Sequence, residues 1–215
     1  MLLMHVSISA EVQWPDGMYS LPQAVQGCPT GWSSGWRFQD NENRDNGNFW
    51  RPSNLNSFMR FDTGRNYRTY YCTKTSSGNS GFVWPRGSYC IARRGGSCPS
   101  GFNWGRIDWD DEDYTNDNSR QGRIPDGVYG RTTRINFCCR SDGNPKEGML
   151  LPTNEAFVLY RFGGTCQRVL GMKYPVQLFV HFDDENGYNG NSCHGRHPDG
   201  PCGSNHEIYF CYYGH

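Results

Sequence analysis

Large apolar side chains are scarce here: Leu, Ile, Val and Phe together make up about 17% of the 215 residues. At that level a chain with no other support tends to stay disordered. Two features oppose disorder. The formal net charge is zero, so self-repulsion does not hold the chain open, and ten cysteines offer covalent closure. Basic runs are also missing. Only Arg93-Arg94 stand adjacent, which excludes nucleic acid as a primary partner. No apolar run is long enough to span a bilayer, so no transmembrane segment is expected. No window carries an apolar period of 3.6, so little helix is expected. Asn-x-Ser/Thr acceptors, a glycine-rich phosphate loop and a Gly-x-Ser-x-Gly elbow are absent as well.

What is present is a motif written three times: Asp-(Asn/Asp)-Glu, three residues, then Asn-x-Asn. Its copies are Asp40-Asn41-Glu42 with Asn46 and Asn48, Asp110-Asp111-Glu112 with Asn116 and Asn118, and Asp183-Asp184-Glu185 with Asn189 and Asn191. They start 70 and 73 residues apart, the spacing of a repeat architecture. Cys28 and Cys98 precede their motifs by twelve residues and Cys166 by seventeen. Nine residues before each cysteine stands Tyr19, Tyr89 or Phe157, followed two later by Leu21, Ile91 or Leu159. That alternation predicts a half-buried strand. Each strand is entered through a Pro turn, Trp14-Pro15-Asp16-Gly17, Trp84-Pro85-Arg86-Gly87 or Leu151-Pro152-Thr153-Asn154. A second Pro turn recurs at Pro52-Ser53-Asn54, Pro125-Asp126-Gly127 and Pro198-Asp199-Gly200, and each unit closes with Tyr71-Cys72, Phe137-Cys138 or Phe210-Cys211.

These signals predict an all-β, disulfide-rich single domain with internal pseudo-threefold repeats of about 70 residues, at about 14–75, 82–140 and 149–213, around a shared aromatic core. Residues 1–13 form an N-terminal extension, the remnant of a signal or of cloning, and the domain runs from 14 to 215. A trefoil-like or prism-like arrangement is expected. Pairing the first and last cysteine of each unit yields Cys28–Cys72, Cys98–Cys138 and Cys166–Cys211, and locality then yields Cys90–Cys139 and Cys193–Cys202. The adjacent Cys138 and Cys139 leave their partners exchangeable. Each long bridge stabilises by roughly 4 kcal/mol in the chain-entropy model. Five bridges imply an oxidising, extracellular location.

Three readings of the acidic loops stay open. Asp and Asn bond their own backbone in turns. Crowded carboxylate and amide oxygens also suit calcium, at Asp110, Glu112, Asp183 and Glu185, though no cofactor is required. The same oxygens suit sugar hydroxyls, and Trp32, Trp36, Trp104 and Trp109 flank the loops. Most of these rings are expected in the core, with Trp109 presented to ligand. Triplication argues against a glycosidase, whose acid and base form one asymmetric pair. Among the histidines, His194 and His197 are candidates to line a groove in the third unit. Cys193, His197, Cys202 and His206 have a superficial zinc spacing, with a disulfide the preferred reading.

The Trp14-to-Pro22 segment, Gly27-Cys28-Pro29 with Gly31-Trp32, Gln39-Asp40-Asn41-Glu42 and the closing aromatic–cysteine pairs resemble the apextrin C-terminal domain over nearly the whole chain. The resemblance implies a secreted invertebrate protein of innate immunity that recognises bacterial cell-wall glycan or glycopeptide, notably peptidoglycan and muramyl dipeptide. It supplies no catalytic residues, and a non-enzyme is expected. Some relatives carry an upstream perforin-like domain, for which this chain has no room. Leu151-Pro152 in place of Trp-Pro sets the third unit apart. An extracellular matrix or adhesion protein with calcium-stabilised loops is the alternative.

Overall fold

A computed structural model describes residues 11–42, 45–52, 58–112, 115–184 and 189–215. The N-terminal residues 1–10, Glu185, and Ser53 and Asn54 of the first unit's second Pro turn lie outside the described residues. Among the described residues there are fourteen strands, one 3-10 turn and no α-helix. All strand pairings are antiparallel.

The strands form three arms of one curled sheet. In the first, β1 (Tyr19–Pro22) and β2 (Ser33–Gln39) flank β5 (Tyr67–Lys74), with β4 (Met59–Phe61) beside β1 on the same edge. In the second, β6 (Ser88–Arg93) and β7 (Asn103–Trp109) flank β10 (Thr133–Ser141), with β9 (Gly127–Tyr129) completing the edge. In the third, β11 (Phe157–Arg161) and β12 (Val176–Phe182) flank β14 (His206–Tyr213). The arms meet where β6 pairs with both β1 and β11. Each arm also lends a strand to another: β8 (Ser119–Gly122) joins β2, β13 (Ser192–Gly195) joins β7, and β3 (Phe49–Arg51) joins β12.

The strands β6 and β11 are buried on both faces, where alternation suggested one. They lie between two apolar clusters. Tyr89, Ile91, Phe157 and Leu159 face one cluster with Tyr19, Leu21, Trp84 and Tyr213. Cys90, Ala92, Val158 and Tyr160 face the other with Ile107, Trp109, Val180 and Phe182. The core is therefore two layers divided by a strand hub, rather than one shared core. In β1 the second face is polar instead: Ser20 hydrogen-bonds Thr73 at 2.8 Å, and both are buried. The corresponding register pairs are the Cys90–Cys139 disulfide and Val158 opposite Tyr212.

Five disulfides join Cys28–Cys72, Cys90–Cys139, Cys98–Cys138, Cys166–Cys211 and Cys193–Cys202, the pairs drawn from the spacing. Strand patterning follows period two. The inward positions of β12 are Leu178, Val180 and Phe182, and those of β7 are Gly105, Ile107 and Trp109. In β2 they are Gly35, Arg37 and Gln39, all buried. Arg37 donates from Nε to the Tyr71 hydroxyl at 3.1 Å and lies 5.2 Å from the Trp109 ring.

Candidate functional site

The acidic loops converge and hold one another. The backbone N–H of Asp40 donates to Asn118 Oδ1 (2.8 Å), that of Asp110 to Asn191 Oδ1 (2.7 Å) and that of Asp183 to Asn48 Oδ1 (2.8 Å). In return Asp40 Oδ2 accepts from Asp117 N (2.9 Å), Asp110 Oδ2 from Gly190 N (2.6 Å) and Asp183 Oδ2 from Gly47 N (2.6 Å). The bonds run in a closed cycle from loop to loop. Within each loop, Asn46, Asn116 and Asn189 accept the N–H two residues on, the short turn that Asn side chains favour.

The middle residue of each motif is fully buried: Asn41, Asp111 and Asp184. Asn48, Asn118 and Asn191 each donate an amide hydrogen to the middle residue of their own loop. Asp111 also accepts from Gln39 Nε2 (2.7 Å) and Thr133 Oγ1 (2.5 Å), and burial pushes its carboxyl up to about 7. Burial raises Asp184 too, against the opposing pull of His206, whose Nδ1 stands 2.8 Å away. Burial also raises Asp40. Glu42 and Glu112 are buried beside them. One oxygen each of Asp40, Asp110 and Asp183 thus accepts a backbone N–H from a neighbouring loop, which is the arrangement a loop clamp requires.

Trp109 is corrected by the structure. It is 1% exposed, packed against Phe182 and His206, so its ring is not presented to ligand. Its position on the inward face of β7 put it in the core, a consequence of register that proximity to Asp110 did not reveal. Trp32 packs on Trp14 and Tyr19, and Trp104 is exposed. His194 is exposed on β13, and His197 Nδ1 sits 2.9 Å from the Pro198 carbonyl. Cys193 and Cys202 lie within 4.8 Å of a His206 ring nitrogen, but their sulfurs are bonded to each other, which removes the thiolates that zinc would need.

A different surface gathers convergent polar groups. Three depressions of about 460, 590 and 570 Å³ share lining residues. The first holds Trp36, Tyr70 and Gln121; the second adds Arg93, Arg94, Arg120, Asp126 and Tyr129; the third extends to Arg123. Gln121 and Gly122 join the first to the second, and Arg94 and Asp126 join the second to the third. The groove exists because β8 leaves its own arm to pair with β2, setting Gln121 opposite Trp36, whose Nε1 donates to Gln121 Oε1 at 3.1 Å. Arg68 lies 4.1 Å from the Trp36 ring centroid. Trp36 stands out in the sequence as a ring near an acidic loop, but Tyr70, Arg120, Gln121 and Tyr129 come from separate segments and form no linear motif with it. A separate cavity of about 820 Å³ is walled by exposed Val83, Leu150 and Leu170 together with Arg86, Asp142, Asn144 and Glu147.

These features define a class: a disulfide-stapled, all-antiparallel β domain whose recurring acidic loops lock its arms and whose surface carries a polar, ring-flanked groove. Among the described residues, no helix is long and apolar enough to cross a membrane. The chain belongs to the family of the C-terminal domain of apextrin, whose model matches residues 14–213. Neither a curated protein nor a solved structure matches it.

Proposed function

We propose that this chain is a secreted, non-catalytic recognition protein of innate immunity that binds bacterial cell-wall glycan or glycopeptide, peptidoglycan and muramyl dipeptide included. The observation that carries this reading is the groove joining Trp36, Tyr70 and Tyr129 to Gln121 and a set of guanidinium groups, on a domain of the apextrin family. Rings offer a face to the apolar side of a sugar, while amides and guanidinium groups address its polar substituents. Five disulfides fit an oxidising extracellular setting.

The architecture behind it is three copies of one unit about a pseudo-threefold axis. Support comes from the matching pairings of β1–β5–β2, β6–β10–β7 and β11–β14–β12 and from the closed cycle of loop hydrogen bonds. Isothermal titration with muramyl dipeptide and with soluble peptidoglycan fragments, beside a pull-down on insoluble peptidoglycan, tests the function. Binding in these assays is expected; silence in all three sinks the reading.

A further inference from the structure

We propose that the groove selects acidic saccharides, taking a carboxylate or phosphate oxygen between Arg94 and Arg120 while the sugar ring lies toward Trp36. This rests on the glycan-binding reading above and names the ligand class within it. Among the described residues, Asp126 is the one carboxylate lining the second and third depressions, against Arg93, Arg94, Arg120 and Arg123. Its two oxygens are already shared: Arg93 Nε lies 3.4 Å from Oδ2, Arg94 Nη1 lies 3.9 Å from Oδ1, and Gly96 N donates to Oδ2 at 2.7 Å.

One carboxylate cannot neutralise four guanidinium groups. The Nε of Arg93 is buried with no hydrogen-bond partner of adequate geometry. Arg120 is exposed, its guanidinium 5.3 Å from the Tyr129 ring centroid, and has no carboxylate partner among the described residues. The chain as a whole carries no net charge, so this surplus is local. A planar guanidinium fork matches carboxylate and phosphate oxygens, and such charge-assisted bonds are roughly twice as strong as neutral ones. A neutral sugar would leave the surplus uncompensated.

The test measures the wild-type chain and two variants, Arg120→Glu and Arg86→Gln, against tetragalacturonate, a glycerol-phosphate teichoic acid and neutral chitotetraose, at low and high salt. Arg86 lies in the separate apolar cavity and serves as the control. At least one anionic probe is expected to bind about tenfold or more tighter than chitotetraose, with affinity falling as salt rises. Arg120→Glu should abolish that preference and Arg86→Gln should preserve it. Which anionic probe binds better identifies the carboxylate or the phosphate as the natural source.

Equal affinity for charged and neutral probes, or a preference untouched by Arg120→Glu, overturns the inference. If peptidoglycan is still captured in that case, the general glycan reading survives. Conversely, Arg120-dependent binding of an anionic probe without peptidoglycan capture upholds the groove assignment and overturns the cell-wall reading.

Discussion

The turns Pro125-Asp126-Gly127 and Pro198-Asp199-Gly200 share a sequence pattern and a backbone role, yet they build different surfaces. In both, the Asp N–H donates to an arginine carbonyl, Arg93 at 2.7 Å and Arg161 at 2.9 Å. In both, the Asp carbonyl accepts from the neighbouring strand, from Asn136 N at 3.0 Å and Tyr209 N at 3.1 Å. The carboxylates then diverge. Asp199 is satisfied by Gly163 N, Gly164 N and one guanidinium, Arg161 Nε at 2.7 Å, itself stacked on Tyr209. Asp126 is outnumbered by arginines. The backbone sets the turn, whereas neighbours brought in by other segments decide whether the corner is neutral or cationic.

The largest effect should come from the close strand approach that frames each corner. A Cβ on Gly105 would meet the Arg196 carbonyl oxygen at 2.0 Å, and one on Gly35 would meet that of Arg123 at 2.3 Å. Both neighbours are backbone and cannot swing aside. Gly105→Ala and Gly35→Ala are each expected to cost several kcal/mol, read as a large loss in Tm. If only Gly35→Ala also abolished glycan binding in whatever fraction folds, the groove would be tied to the Arg123 side of the comparison.

Next comes the buried ring of loops. Folded Asp111 keeps its proton to about pH 7, while the unfolded chain releases it near the ordinary value of 3.8. Between these limits the folded state binds more protons, so stability falls as pH rises from about 4 to about 7. The upward shifts of Asp184 and Asp40 act in the same direction. Opposing this, Arg140 depresses Asp142, whose contribution is lost as pH falls through the acid range. Asp111→Asn, which places there the residue found at Asn41, is expected to flatten the decline, an effect on the order of a few kcal/mol at pH 8. Denaturant midpoints measured from pH 4 to pH 8 check it; an unchanged slope would mean that Asp111 titrates normally.

The turn aspartates themselves can be exchanged for amides. Asp199→Asn should destabilise by roughly 1–3 kcal/mol with glycan affinity unchanged, because it weakens a half-buried acceptor that holds a guanidinium and two backbone N–H groups. Asp126→Asn should cost less in stability and should strengthen binding of anionic saccharide by removing the groove's one negative charge. Equal effects of the two substitutions on both readouts would dissolve the contrast between the corners.

The smallest expected effect is that of chelation. The Asp40, Asp110 and Asp183 side chains already accept backbone N–H groups of neighbouring loops, so EDTA is expected to leave Tm unchanged. A fall in Tm restored by calcium would favour the matrix or adhesion reading, in which Asp110, Glu112, Asp183 and Glu185 hold the ion.

Much of the fold was legible because its signals are local or periodic. Alternation with Pro and Gly turns marked an all-β chain, and the spacing of aromatic, cysteine and acidic positions indicated which cysteines stand opposite each other. The candidate site was less legible. Asp40 meets Asn118 from 78 residues away, so a motif that reads as a ligand cluster along the chain becomes a clamp in space. Trp109 stands beside an acidic residue in sequence and inside the core in the structure, because adjacent strand residues point to opposite faces. The groove draws Trp36 from β2, Arg94 from the loop after β6, and Arg120 and Gln121 from β8. By itself, then, the sequence determined the all-β character, the turns and the long covalent staples of the first and third units, since these depend on residues at fixed spacing; the choice between Cys138 and Cys139 as partner of Cys98 was made by the structure. That the loops clasp one another, which rings are buried and where positive charge accumulates were decided by tertiary structure, since they depend on side-chain direction and on contacts between segments far apart in the chain.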